Sequence, residues 1–304
     1  MARVVFLGTP GAAVPTLDLL VENHDVALVV TRPDRPRGRS AKPMPPPIKE
    51  LAVARDLPLA QPTNRAALSD AIVAHGPFDV GVVVAFGRIL RPEVLAAPEL
   101  GLLNVHFSLL PRWRGAAPVA RALMAGDTMT GVTIIRLDDG LDTGPVVTAQ
   151  AIDIMDHENA GELSNRLAVL GARLLVDSLP AYLAGDLVPV PQSDEGLTYA
   201  DKIEAVDRPI DTKSDAGSAV ARVRGLAPSP AATLEIDGDL HKILAVRPST
   251  GKPKRGEWQV IDGVPVVGFG DAGVELIALQ SAGKKPQSGE DWVRGRHRVG
   301  GVVR

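Results

Sequence analysis

Residues 79–85 read Asp-Val-Gly-Val-Val-Val-Ala, and the first half of the chain is organised around that run. It is short, β-branched and apolar without alternation. A strand of this kind buries both faces, as strands do in a parallel sheet covered by helices on each side. Residues 4–7 and 26–31 upstream are runs of the same type, and so are 101–106 and 131–137 downstream. Helical periodicity fills the intervals at 12–22, 48–56, 65–75 and 116–125. Strands alternating with helices predict an α/β domain with a doubly wound, mostly parallel, Rossmann-like sheet. Its ligand is expected outside the carboxyl ends of the strands.

Residues 146–154 add a further strand. A long amphipathic helix follows over 160–184, with Leu163, Leu167, Leu170, Leu174, Leu175 and Leu179 recurring every three to four residues. The pattern then changes. Residues 186–212 carry prolines and partial structure, and 215–226 a short helix. Five short strands are predicted at 232–236, 240–246, 258–261, 264–268 and 274–279, separated by turn signals such as IDGD and FGDAG. That spacing suggests a smaller, OB-like β-barrel. The expected division is a catalytic domain over 1–185, a linker over 186–212 and a barrel domain over 213–304.

The 304 residues include no cysteine, which excludes a disulfide framework, a thiolate metal site and a Cys nucleophile. Residues 1–10, MARVVFLGTP, are too short in apolar run for a signal peptide, so a cytoplasmic protein without a membrane span is expected. No oligomer interface stands out, and a monomer is expected. Gly8-Thr9-Pro10-Gly11 follows the first strand but matches neither G-x-G-x-x-G nor a Walker A loop, which argues against a dinucleotide cofactor.

Residues 104–115, NVHFSLLPRWRG, carry the chemistry. Asn104 and His106 are two apart at a predicted strand end, so both can face one side. Asp142 lies in the acidic, Gly-rich loop DDGLDTG, over 138–144, after the GVTIIRL strand. Asn, His and Asp would supply an amide donor for an oxyanion, a base and a carboxylate to orient it. On residue types alone the plainer reading is favoured: Asn104 caps a turn and His106 is a packed surface histidine.

The ordered set of motifs changes that weighting. Asn104-x-His106, Ser108-Leu-Leu-Pro111 and Asp142 within Gly140–Gly144 resemble the signature of the formyltetrahydrofolate-dependent formyltransferases. FLGTP (6–10), TRPDRPRGR (31–39), VVVAFG (82–87), PRWRGAAP (111–118), GDTMTGVTI (126–134) and SAGKKP (281–286) extend the likeness over nearly the whole chain. The members it is most similar to act on initiator tRNA. The resemblance implies 10-formyltetrahydrofolate as formyl donor and co-substrate, with no metal. It implies the α-amino group of methionine on initiator Met-tRNA as acceptor, giving N-formylmethionyl-tRNA for translation initiation. Asn104 would bond the formyl oxygen, His106 would assist proton transfer, and Asp142 would orient His106 or buffer its charge. Ser108, Leu109, Leu110 and Pro111 would line the folate site with Phe86 and Gly87. Phe107 departs from the Gly or Pro common there in the family, and Phe86 from the frequent Tyr. A small amino acceptor, either glycinamide ribonucleotide or an amino-sugar nucleotide, is the alternative that the trio alone leaves open. A non-catalytic RNA-binding protein on the same scaffold is disfavoured by the intact trio.

Overall charge is −3, from 33 Lys+Arg and 36 Asp+Glu, but it is unevenly spread. Residues 1–207 hold 18 basic and 25 acidic side chains, while 208–304 hold 15 and 11. Within 31–49, six basic residues face Asp34 alone. Clustered Arg repel without a partner and suit phosphate and base-edge contacts. The resemblance assigns this loop to the acceptor stem, with Arg35, Arg37, Arg39 and Lys42 as tRNA contacts and Arg39 the discriminating one. Arg112, Arg114, Lys284 and Lys285 are further tRNA candidates, and Trp113 reads equally as a base-stacking or a core residue.

Overall fold

The run at 79–85 forms the strand Val80–Val84, with all five residues buried. The structure, a computed structural model, describes residues 1–36, 42–296 and 298–303. Seven strands make the first sheet: β1 (Arg3–Gly8), β2 (Asp25–Val30), β3 (Leu59–Ala60), β4 (Val80–Val84), β5 (Leu102–His106), β6 (Met129–Arg136) and β7 (Val146–Asp153). Their order is β7-β6-β5-β4-β1-β2-β3. β1 pairs in parallel with both β2 and β4, so the winding reverses at β1. β4 and β5 are also parallel. A doubly wound, mostly parallel sheet is what the buried apolar runs demanded.

One pairing in this mostly parallel sheet is antiparallel. β6, the GVTIIRL strand, runs antiparallel to β5, with His106 opposite Thr133 and Leu103 opposite Arg136. Apolar content reports burial on both faces and is indifferent to strand direction, so the sequence pattern does not distinguish the two.

The chain forms two compact units, and each is interrupted along the sequence. The first comprises Met1–Ala116, Thr130–Ile152 and Ser164–Ala200. The second comprises Ala117–Met129, Asp153–Leu163 and Asp201–Arg304. Most of helix Ala160–Ala184 belongs to the first unit. It is long and apolar enough to cross a bilayer. Here Leu167, Leu175 and Leu179 are fully buried, while Leu170 and Leu174 are half-buried. Gly171 sits so close to the sheet that a Cβ would lie 2.6 Å from Val105 Cγ1.

The second unit is an antiparallel sheet of β8 (Ala232–Ile236), β9 (Asp239–Ser249), β10 (Glu257–Ile261), β11 (Val264–Gly268), β12 (Gly273–Ser281) and β13 (Gly300–Val302). The order is β8-β9-β12-β11-β10-β13. An antiparallel bridge between Ile236 and Val303 joins the first strand to the end of the last, curling the sheet into the expected barrel-like form. Asp237 N–H donates to Val302 O at 2.9 Å, and Val302 N–H donates back to Asp237 Oδ1 at 2.9 Å. Trp258 fills the interior and meets Trp292 edge-on, centroids 5.0 Å apart. Helix Pro118–Met124 packs here on helix Ala216–Leu226, where Gly225 leaves room for Ala120 O and Met124.

His241 is buried beside Trp292 with 1% of its surface exposed. Its Nδ1–H donates to Asp239 O at 2.8 Å, and its Nε2 accepts from Trp292 Nε1–H at 3.2 Å. Burial holds its pKa below the ordinary histidine value of 6.5. A protonated ring cannot accept from Trp292, so the folded unit requires the neutral form. The unfolded chain therefore takes up the proton first, and stability is lost as pH falls below the unfolded value. We expect the denaturation midpoint of the barrel unit to drop between about pH 8 and about pH 5, and the drop to be smaller in His241→Gln. Equal pH dependence in the two proteins, followed by barrel tryptophan fluorescence, would contradict this.

Candidate active site

β5 places Asn104 and His106 on one face, because side chains two apart on a strand point the same way. His106 is 5% exposed. Asn104 is half-buried, and its side-chain amide makes no hydrogen bond among the described residues. A half-buried amide left open beside a buried imidazole is a donor waiting for an acceptor.

The imidazole is fixed by the backbone of the following loop. His106 Nε2 lies 2.9 Å from Trp113 O. A carbonyl only accepts, so Nε2 carries the proton, and in the neutral ring Nδ1 keeps its lone pair. Trp113 has φ +65°, a left-handed backbone that turns this carbonyl toward the ring. Trp113 N–H donates to Thr198 Oγ1 at 3.0 Å, and Arg114 N–H donates to Thr198 O at 3.0 Å. Arg114–Gly115 then pairs in parallel with Tyr199–Ala200. Residues 198–200 lie in the stretch expected to be linker, yet they belong to the first unit and hold the loop that orients the histidine.

Asp142 Oδ2 stands 3.7 Å from His106 Nδ1. That is ion-pair range and beyond a hydrogen bond. The same oxygen accepts from Gly115 N–H at 2.8 Å. So the Trp113 carbonyl sets the ring's orientation, while Asp142 supplies only charge beside Nδ1. Asp142 does not arrive there from a neighbouring parallel strand end. β6 leaves the sheet opposite Leu103, three residues short of His106. The 138–144 loop therefore doubles back along β5 by roughly 10 Å, at ~3.3 Å per residue.

The 108–111 segment is built differently from a simple lining. Ser108 is fully buried, and its hydroxyl donates to Arg112 O at 2.6 Å. Thr133 Oγ1 donates to Ser108 O at 2.7 Å and accepts from Leu110 N–H at 3.1 Å. Ser108 thus shapes the loop from inside, and Leu109, Leu110 and Pro111 are its half-exposed part. Phe86 also turns inward. It is 2% exposed and belongs to the core cluster of Val5, Leu7 and Leu28, so its ring is core. Ala85 at φ +48° and Gly87 at φ +71° make the turn that tucks it in, leaving Gly87 exposed.

Arg114, a tRNA candidate on sequence, turns inward. It is 7% exposed, and its guanidinium is taken up by Gln192 Oε1 at 2.8 and 3.0 Å. These two bonds make the buried guanidinium a brace between its loop and Gln192. The Arg112 guanidinium lies 4.4 Å over the Trp113 ring. Arg35 is exposed and pairs with Met44 in a two-residue ladder. Lys42 is exposed, as are Lys284 and Lys285 on the second unit. Arg37 and Arg39 lie outside the described residues. Arg88 carries no motif and escapes a reading of the sequence. Burial and the nearby charges of Arg32 and Arg35 push its pKa down. Arg32 lies against Gly87, and its Nε is buried without a hydrogen-bond partner. The Arg88 guanidinium is itself directed at backbone carbonyls, Nη1 donating to Pro62 O at 2.9 Å and Nη2 to Thr63 O at 3.4 Å.

A doubly wound sheet thus presents an open amide, an oriented imidazole and a carboxylate at the end of β5. The formyl transferase family model matches residues 2–179, and the formyl transferase C-terminal domain model matches 202–297. The chain is 45% identical to a methionyl-tRNA formyltransferase of Halorhodospira halophila, covering 99% of this chain and 98% of that one. It is 42% identical to that of Ruegeria pomeroyi, covering 96% and 97%. Among solved structures, an N-formyltransferase of Helicobacter canadensis in complex with folinic acid and dTDP-3-aminofucose superposes with TM-score 0.71 at 17% identity, over 92% of this chain and 100% of that one. A methionyl-tRNA formyltransferase from Clostridium thermocellum gives 0.58 at 16%, over 83% and 96%. HypX from Aquifex aeolicus gives 0.69 at 19%, and the match spans 97% of this chain but 47% of that longer one. These structures share the fold. The chain belongs to the formyl transferase family.

Gly115 carries the amide that seats Asp142. Its φ is +123°, and a Cβ there would lie 2.8 Å from Ala200 O. Gly115→Ala is expected to destabilise the first unit by about 1–3 kcal/mol. A urea denaturation midpoint unchanged from wild type would show that this approach is not tight.

Proposed function

We propose that the chain transfers the formyl group of 10-formyltetrahydrofolate to the α-amino group of methionine on initiator Met-tRNA, forming N-formylmethionyl-tRNA. The observation that carries the chemistry is the open Asn104 amide beside an imidazole whose free nitrogen is Nδ1. Full-length relatives bearing that activity in their names support tRNA as the acceptor.

The reaction joins a neutral amine to an amide-like carbonyl. The carbonyl oxygen gains negative charge, and the amine must lose a proton. The Asn104 N–H donates to that oxygen and strengthens its bond as charge develops. His106 Nδ1 accepts the proton from the amine, while Nε2–H stays on the Trp113 carbonyl, and returns it to the folate N10 as the bond from N10 to the formyl carbon breaks, releasing tetrahydrofolate. Asp142 sets a negative charge beside the proton so taken up. No covalent nucleophile is required. The half-exposed 109–111 edge and the backbone of the 85–87 turn would border the folate. The Arg32 guanidinium beside Gly87, its Nε buried without a hydrogen-bond partner, is proposed to meet a carboxylate such as the folate tail carries. Arg39 and exposed Lys42, Lys284 and Lys285 are proposed to meet tRNA phosphates, whose binding weakens with salt. The enzyme is proposed to act as a cytoplasmic monomer.

The decisive assay offers labelled formyl donor to initiator Met-tRNA, glycinamide ribonucleotide and an amino-sugar nucleotide side by side. Formylation of the tRNA alone is expected, and preference for either small acceptor would overturn the assignment. Asn104→Ala and His106→Ala should each lower single-turnover rates by roughly 10²–10³-fold or more. Near-normal rates in both would contradict the roles of donor and base. Arg39→Ala should impair use of tRNA while folate affinity stays unchanged. An equal loss of both would sink this division of labour.

A further inference from the structure

Four hydrogen bonds converge on one side chain that the sequence pattern places in a linker. Gln192 Oε1 accepts from Arg114 Nε at 3.0 Å and Nη2 at 2.8 Å. Gln192 Nε2 donates to Asp142 O and to Gly144 O, each at 2.8 Å. The amide can face only this way, because a guanidinium has donors alone and a carbonyl has acceptors alone. Its two lone pairs and two N–H groups are all used. One end holds the 108–115 loop through a buried arginine. The other holds the backbone of the loop that carries Asp142.

That second loop needs such an anchor. Its remaining side-chain bonds are internal, from Gly140 N–H and Thr143 Oγ1 to Asp138 Oδ1, apart from Asp142 on Gly115. Backbone bonds fix the loop's two ends, Leu137 N–H on Leu102 O at 2.8 Å and Val146 N–H on Val190 O at 2.7 Å, and between those ends the Gln192 and Gly115 contacts set where it lies. Asp142 itself is at φ +52°, a left-handed conformation that surroundings must enforce.

We infer that Gln192 is a positioning residue for the transfer reaction, fixing the separation of the two loops so that Asp142 stands beside His106 Nδ1. This rests on the roles proposed above for His106 and Asp142. The consequence is specific. Loss of Gln192 leaves every reacting group in place chemically but lets the carboxylate drift, and a misplacement of about 1 Å can cost ~100-fold in rate. The effect should fall on kcat, with KM for both substrates little changed.

Two variants separate the ends of the amide. Gln192→Leu removes all four bonds. Gln192→Glu keeps an acceptor for Arg114 but sets a carboxylate oxygen against two carbonyls, so the Asp142 side fails selectively. Amide hydrogen exchange of the folded full chain reads the brace without any substrate. Protection across 138–146 and at Gly115 should fall about tenfold or more in both variants, with the barrel strands unaffected. In turnover, kcat should fall at least ~10-fold in the wild-type background and show no further fall when Gln192→Leu is added to Asp142→Ala. Unchanged exchange protection would overturn the inference, and so would rate losses that multiply in the double variant. If the wild-type chain did not formylate Met-tRNA at all, the proposed function would fail, while exchange would still decide the brace.

Discussion

A single backbone carbonyl determines what the buried histidine can do. Trp113 O takes the proton-bearing Nε2 of His106, and this leaves Nδ1 as the basic atom. The carbonyl points that way because Trp113 adopts a left-handed conformation that a bulky residue avoids unless it is held. It is held by Thr198, which receives the Trp113 amide on its hydroxyl and the Arg114 amide on its carbonyl. The Gly115 amide, one residue further on, seats Asp142. Ring tautomer, carboxylate position and loop conformation are therefore consequences of one stitched segment.

The two parts of the chain have opposite electrostatic characters, with 18 basic and 25 acidic residues over 1–207 but 15 and 11 over 208–304. The first part gathers positive charge in the 31–49 stretch, six basic residues against Asp34. The second part carries exposed Lys284 and Lys285 on a curled sheet closed through Ile236 and Val303. A polyanionic acceptor suits that distribution better than a small one, which would have little use for a basic barrel.

Much of this was legible in the chain. Helices 65–75 and 160–184 begin and end where periodicity places them, the first because Asn64 caps it by accepting from Ala67 N–H. Asn104, His106 and Asp142 were legible as residue types in an ordered motif set. The direction of β6 was not, because an apolar strand buried on both faces reads the same either way. The Trp113 carbonyl and the Gln192 amide were also hidden. A backbone acceptor has no residue signature, and a lone Gln between Pro191 and Ser193 looks like solvent-facing linker. Helix Pro118–Met124 looked like a connector of the first sheet but packs in the second unit, since its partner helix, Ala216–Leu226, comes far later in the chain. The burial of Phe86 and Arg114 was hidden as well, because their neighbours in sequence, Gly87 and Arg112, give no sign of it.

The protonation pattern of one ring tests the role of the Trp113 carbonyl most directly. Heteronuclear NMR of the neutral His106 imidazole, assigned by comparison with His106→Gln, distinguishes the two tautomers. A protonated Nε2 and an unprotonated Nδ1 are expected. A proton on Nδ1 in the neutral ring would contradict this, because the Trp113 carbonyl would then have no donor and the proposed base would be the wrong atom.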